Sequence, residues 1–176
     1  MKISMYTMAV NSVVPMLESL SAVLDKGAAC AKENGLDLVN ARLAPDMFTL
    51  AQQVRVACDQ AKNGVARLMG VEPPRFEDNE QTIDELKDRI ARTVAYLKSA
   101  DAAAFEGAED RACNIPLPNN LVAAMNGLQF LQAWLLPNFY FHVVTAYDIL
   151  RHSGVVIGKR DYLSHAGAFI RPQSPA

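Results

Sequence analysis

Residues 128–154 read LQFLQAWLLPNFYFHVVTAYDILRHSG. Leu128, Leu131, Leu135, Phe139, Val143, Ala146 and Leu150 recur at steps of three and four, which draws one apolar stripe along a helix. We place the helical segment from about Asn119-Asn120 to Ser153, with Gly154 as its stop. Pro137 lacks an N–H and is expected to kink it. His142 falls within the arc of Leu128, Leu135 and Ala146 at 100° per residue, so its imidazole is expected to face inward.

Three further segments share this pattern. Tyr6, Val10, Val13, Leu17, Leu20, Leu24, Ala28 and Ala31 define a face ending at Gly35, with Pro15 predicting a kink or a late start. Residues 36–43 read as extended. Pro45-Asp46 then opens a helix to Met69, with Asp46 as the expected N-cap and Leu50, Val54, Ala57, Ala61 and Leu68 inward. Ala57, Ala61 and Gly64 lie on one side, where a neighbouring helix can come close. Thr82-Ile83-Asp84-Glu85 fits a capping box ahead of Ile83, Leu86, Ile90, Val94 and Leu97. Residues 100–113 look irregular, 115–118 and 155–163 extended, and 171–176 frayed. The fold expected is all-α: a four-helix bundle with short extended connections, one domain over residues 1–170 and a tail over 171–176.

Composition limits the function. Across 176 residues, 51% are hydrophobic and 20% charged, which excludes a disordered chain. The net charge of −2 leaves no basic footprint for nucleic acid. Cys30, Cys58 and Cys113 are widely spaced and odd in number, so we expect free thiols in a reducing cytoplasm. Gly27-Ala28-Ala29-Cys30 loosely imitates a lipoprotein cleavage site, but Ser4, Asn11, Ser12 and Glu18 interrupt the apolar region before it. No uninterrupted apolar run reaches the ~18 residues of a membrane span, so no membrane partner is expected.

Gly154 to Lys159 imitates a phosphate loop with one residue missing and Arg160 in place of the hydroxyl residue, so it reads as a turn with two solvated cations. His142 and His152 are ten residues apart, about 15 Å along a helix, too far to share one ion. Asn138 stands one turn before His142, and Gln53 flanks the buried stripe of the second helix. His142 is therefore either a hydrogen-bonded core residue or the lining of a polar pocket or metal site. Tyr147 either offers its hydroxyl to that pocket or caps a groove. Phe139 faces the core, while Trp134, Tyr140 and Phe141 lie on the flanks, where they pack on neighbours or on a second subunit. Arg55 and Asp59 fit a surface pair, and Cys58 a small core residue.

The run from Leu136 to His142, continued through residues 145–154 and 158–163, resembles the C-terminal part of an uncharacterised bacterial domain-of-unknown-function family in the DinB/YfiT-like superfamily. Residues 43–48 and Gln53-Val54 match as well. The resemblance implies a four-helix bundle, a homodimer and relatives that look like metal-dependent enzymes, some acting with low-molecular-weight thiols. It also implies a histidine triad: one His on the second helix and a His-x-x-x-His pair ahead of Leu150-Arg151-His152-Ser153-Gly154. His142 matches the second member of that pair, Asn138 replaces the first, and Gln53 stands near the helix-two position. Amides are weak ligands for zinc or nickel, and Asp46 is the nearby carboxylate that could help a hard cation. The reading is a degenerate pocket of His142, Asn138, Gln53, Asp46 and Tyr147, with no metal or a weakly bound divalent ion on His142. It binds an unidentified small molecule or is non-catalytic. Two alternatives stand beside it: a metal-dependent enzyme acting on a small thiol or electrophile, and a structural, partner-binding dimer.

Overall fold

The computed structural model describes residues 3–173. The chain is mostly helical: α1 (Met5–Asn34), α2 (Leu50–Met69), α3 (Ile83–Lys98), α4 (Gly127–Phe130), α5 (Leu136–His152) and α6 (Lys159–Tyr162). Two strands, β1 (Ala112–Leu117) and β2 (Leu121–Asn126), form an antiparallel hairpin with Leu117 opposite Leu121. The all-α expectation is corrected at this hairpin. Asn119 and Asn120 do not start a helix; their φ values of 58° and 57° make them the centre of a turn closed by Leu121 N–H to Pro118 O. Adjacent asparagines tolerate this left-handed backbone, which a hairpin turn of this kind requires.

Helix ends follow local chemistry. Ser4 caps α1, and Gly35 ends it at φ 66°. Pro15 sits inside this helix without delaying its start. α1 has a stretch with a mean hydropathy of 1.3, enough by length and composition to cross a membrane, yet 56% of that stretch is buried within the protein. Thr82 and Glu85 form the expected reciprocal cap of α3. At α2 the expectation fails: Thr49, not Asp46, is the N-cap, because Thr49 and Gln52 satisfy each other's backbone N–H groups. Asp46 lies on an exposed turn three residues earlier.

The last long helix departs from the simple stripe. A π-helical turn, Leu131–Leu135, joins α4 to α5 immediately before Pro137. Pro137 has no N–H and its ring crowds the carbonyl one turn back, so a widened turn relieves both problems. Leu131, Leu135, Phe139, Val143, Ala146 and Leu150 are buried as expected. Leu128 precedes the π-turn, falls out of phase and is 36% exposed. Residues 155–163 are not one extended segment: α6 occupies 159–162, held at its start by Gly158 N–H donating to the Asp161 carboxylate. Of the tail, residues 171–173 belong to no element, and 174–176 lie outside the described residues.

α2 is the central element, packed on α5 by one side and on α3 by another, while α1 covers α3 and α5. Ala57 and Ala61 are fully buried, and a Cβ built on Gly64 would lie 1.6 Å from Leu135 Cδ1. The small face of α2 therefore receives Leu135 directly against its backbone. The opposite side of α2 is ionic. Arg89 on α3 is fully buried, donating to Glu80 and Asp59 at 2.9 Å and to the Glu77 carbonyl at 2.9 Å. Arg55 donates to the same Glu80 at 2.8 Å. Arg55 and Asp59 thus reach across to Glu80 and Arg89 and do not form the surface pair expected from their spacing.

Two stability measurements follow from this packing. Gly64→Ala gains up to about 1 kcal/mol of helix propensity but drives a methyl into Leu135, which costs about 1–3 kcal/mol. Denaturant unfolding is expected to show net destabilisation, relieved by a compensating Leu135→Val. Arg89→Met leaves Glu80 with one arginine fewer and the segment around residue 77 unanchored. A loss of about 3 kcal/mol is expected by the same measurement.

Candidate functional site

His142 projects from α5 toward the first turns of α2. The residue is 9% exposed, and Nδ1–H donates to Gln53 Oε1 at 2.7 Å. Gln53 is itself buried. This bond fixes the tautomer: Nδ1 carries the proton, and Nε2 keeps its lone pair. Burial lowers the pKa of the imidazole, which favours the neutral form.

Two aromatic rings border the imidazole. Phe48 stacks along it, with centroids 6.4 Å apart and an interplanar angle of 19°. Phe141 meets it edge-on at 5.2 Å and 88°. Both phenylalanines are about half exposed, so apolar side chains border the nearly buried imidazole at the protein surface. The cap of α2 explains Phe48. With Thr49 as N-cap, Phe48 is the preceding residue and Gln53 the fourth in the helix, so both stand at the helix start, where each meets His142. The same cap that orients Gln53 therefore lays Phe48 beside its partner. Leu50 N–H to Ala41 O at 2.8 Å and Ala51 N–H to Val39 O at 3.2 Å tie the preceding loop to this helix start.

The structure joins two of the five residues singled out from the sequence. His142 and Gln53 meet. Asn138 does not turn to the imidazole: its amide donates to Trp134 O at 2.7 Å, a bond within its own helix at the π-turn. Asp46 is exposed on its turn and makes no hydrogen bond to His142. Tyr147 packs edge-on against Tyr162 at 5.9 Å, away from the imidazole. His152 is exposed, and His165 Nδ1 lies 3.3 Å from Ser19 Oγ, so neither joins His142. Phe48 and Phe141 are the neighbours that sequence reasoning did not assign to the site. A correct placement of the α2 cap would have found Phe48.

A transition-metal ion does not fit this donor set. His142 Nε2 is one good ligand, the Gln53 carbonyl already accepts from Nδ1–H, and the Asn138 side chain, its N–H held by Trp134 O, could add only a weak amide oxygen. Among the described residues no three His, Cys, Asp or Glu side chains cluster as a metal site. Cys58 supplies no thiolate, since burial pushes its pKa up to about 12.

The imidazole should leave a mark on the pH dependence of stability. Its folded pKa lies below the ordinary 6.5, so in that window the unfolded chain binds the extra proton. The stabilisation is complete above the unfolded value and is lost as pH falls through the folded one. Denaturant unfolding of wild type and His142→Asn between about pH 7.5 and 5 is expected to show the wild-type advantage shrinking toward acid. A constant advantage would mean an imidazole whose pKa folding leaves unchanged.

Residues 5–163 match the family described as Domain of unknown function (DUF1993). The chain also superposes on the crystal structure of a DinB family member protein from Shewanella denitrificans, with a TM-score of 0.83 and 40% identity over 97% of this chain and 95% of that one. No curated protein matches the chain. With nearly its whole length inside the family match, and with that neighbour's fold, the chain belongs to the DUF1993 family, within the DinB-like superfamily.

Proposed function

We propose that the protein is a DinB-like four-helix bundle whose site around His142 binds a small ligand and carries out no metal chemistry. α1, α2, α3 and the α4–α5 run are the four long members, in one domain. The observation that carries this reading is the bond from His142 Nδ1 to Gln53. It engages Nδ1 with the Gln53 amide oxygen and leaves Nε2 as the hydrogen-bond acceptor of a ring bordered by Phe48 and Phe141. A ligand suited to that gap offers a flat or apolar body to the two rings and one N–H or O–H donor to Nε2. Asn138, Asp46 and Tyr147 drop out of the binding set: the Asn138 N–H is held by its own helix, Asp46 is exposed on its turn, and the Tyr147 ring packs on Tyr162.

The same surface supports a homodimer. Phe141 and Val144 on α5 and Leu43 and Phe48 in the loop leading into α2 are exposed apolar residues. Covering them with a second copy would enclose the imidazole. A cytoplasmic location is in keeping with three free cysteines.

Elemental analysis of protein purified without a metal-affinity tag tests the first part. We expect less than one equivalent of zinc, nickel or iron, unchanged in His142→Ala. Stoichiometric metal that disappears in that variant would replace this reading with a metal-dependent enzyme. Sedimentation at micromolar concentration tests the second part: a species of twice 19.2 kDa is expected, and a monomer at 19.2 kDa overturns the dimer.

A further inference from the structure

A cavity of about 820 Å³, mostly apolar, lies near the C-terminal end of the described residues. Leu163, Ala166 and Ile170 give it hydrocarbon walls, and Lys159 and Arg160 stand beside them. The segment that builds it is bolted to α1. Lys26 Nζ meets the Asp161 carboxylate at 2.6 Å, and Ser164 Oγ lies 2.8 Å from the buried Ser19 hydroxyl. His165 Nδ1 lies 3.3 Å from that same hydroxyl. A short segment held at three points presents its cavity without having to order it first, which favours binding.

The charges around the cavity are unbalanced in one direction. Asp161, the one acidic residue of α6, is turned away from Lys159 and Arg160. It accepts from Lys26 and from Gly158 N–H at 2.7 Å. Among the described residues neither Lys159 nor Arg160 has a carboxylate within salt-bridge distance. Both are exposed. Two cations without a carboxylate partner among the described residues, beside a hydrocarbon wall, complement a molecule with an anionic head and an apolar body. Arginine suits a carboxylate because its planar fork can grip both oxygens.

We propose that this cavity is a binding site for an amphiphilic carboxylate, an aliphatic or aryl acid, distinct from the His142 site. The head group lies on Lys159 and Arg160. The chain lies along Leu163, Ala166 and Ile170. The cavity's volume matches that of small-ligand clefts, and with Ser164, Gly167 and Ile170 exposed it is an open cleft.

The test is titration calorimetry with decanoate below its micelle concentration, with decanol and acetate as the two halves of the recognition. Decanoate is expected to bind, and each half-ligand at least about tenfold more weakly. The double variant Lys159→Gln/Arg160→Gln should lose about tenfold or more in affinity while its unfolding temperature stays put. Ile170→Ser, at a residue 75% exposed and so safe for folding, should weaken the apolar half severalfold. His142→Ala should bind decanoate like wild type, which separates this site from the other. Decanol binding as tightly as decanoate, unchanged binding in the double variant, or no heat with decanoate would each overturn the proposal.

Discussion

The approach of α2 to the last long helix is the constraint on which the rest of the molecule depends. Helices pack at axial distances set by the side chains between them. Here α2 offers Ala57, Ala61 and the bare backbone of Gly64, so Leu135 reaches the helix surface itself. Two residues 89 apart in sequence, Gln53 and His142, can meet at 2.7 Å only because the two helices are brought this close. The site is therefore a by-product of packing before it is a piece of chemistry. A larger residue at 64 would act on the imidazole without touching it.

α2 also carries the opposite kind of contact. Its other side meets Arg89, a guanidinium out of water that draws in Glu80 and Asp59 and fixes the Glu77 carbonyl. Phe76 lies over Lys62, Arg89 and Arg92, adding its ring face to the same anchorage. Such a cluster contributes little net stability compared with an apolar replacement, but it is costly to break halfway. It gives the loop after α2 one position. Cys58 stands among these charges with its thiol protonated, which suits a packing role.

The helices were readable because period-3.6 stripes and caps such as Thr82-x-x-Glu85 are local. The inward turn of His142 and the small face of α2 were readable for the same reason. The failures also have local causes. Asn119-Asn120 resembles a helix start and a left-handed turn equally well, and only the pairing of β1 with β2 decides between them. Asp46 and Thr49 both suit an N-cap, and Gln52 decides for Thr49. Misplacing that start by three residues hid Phe48. The π-turn shifted Leu128 out of phase, a change that no fixed periodicity can anticipate. Asn138 was assigned by spacing alone, yet short amide side chains compete for nearby backbone carbonyls, and Trp134 O won. Arg55 and Asp59 were paired by spacing although partners distant in sequence were better placed.

The hairpin has two margins, and they are not alike: on β1 the Asn114 carbonyl already accepts from Arg67. Pro116 lies inside β1 and cannot donate a main-chain hydrogen bond, so a foreign strand gains little by adding there. β2 runs Leu121-Val122-Ala123-Ala124 with neither a proline nor a charge, and Leu121 and Val122 are 63% and 57% exposed. Gatekeeping on this ribbon is one-sided. In a concentrated solution the β2 margin is where chains would begin to stitch together into aggregates, and a single lysine at Val122 is the smallest change that would guard it.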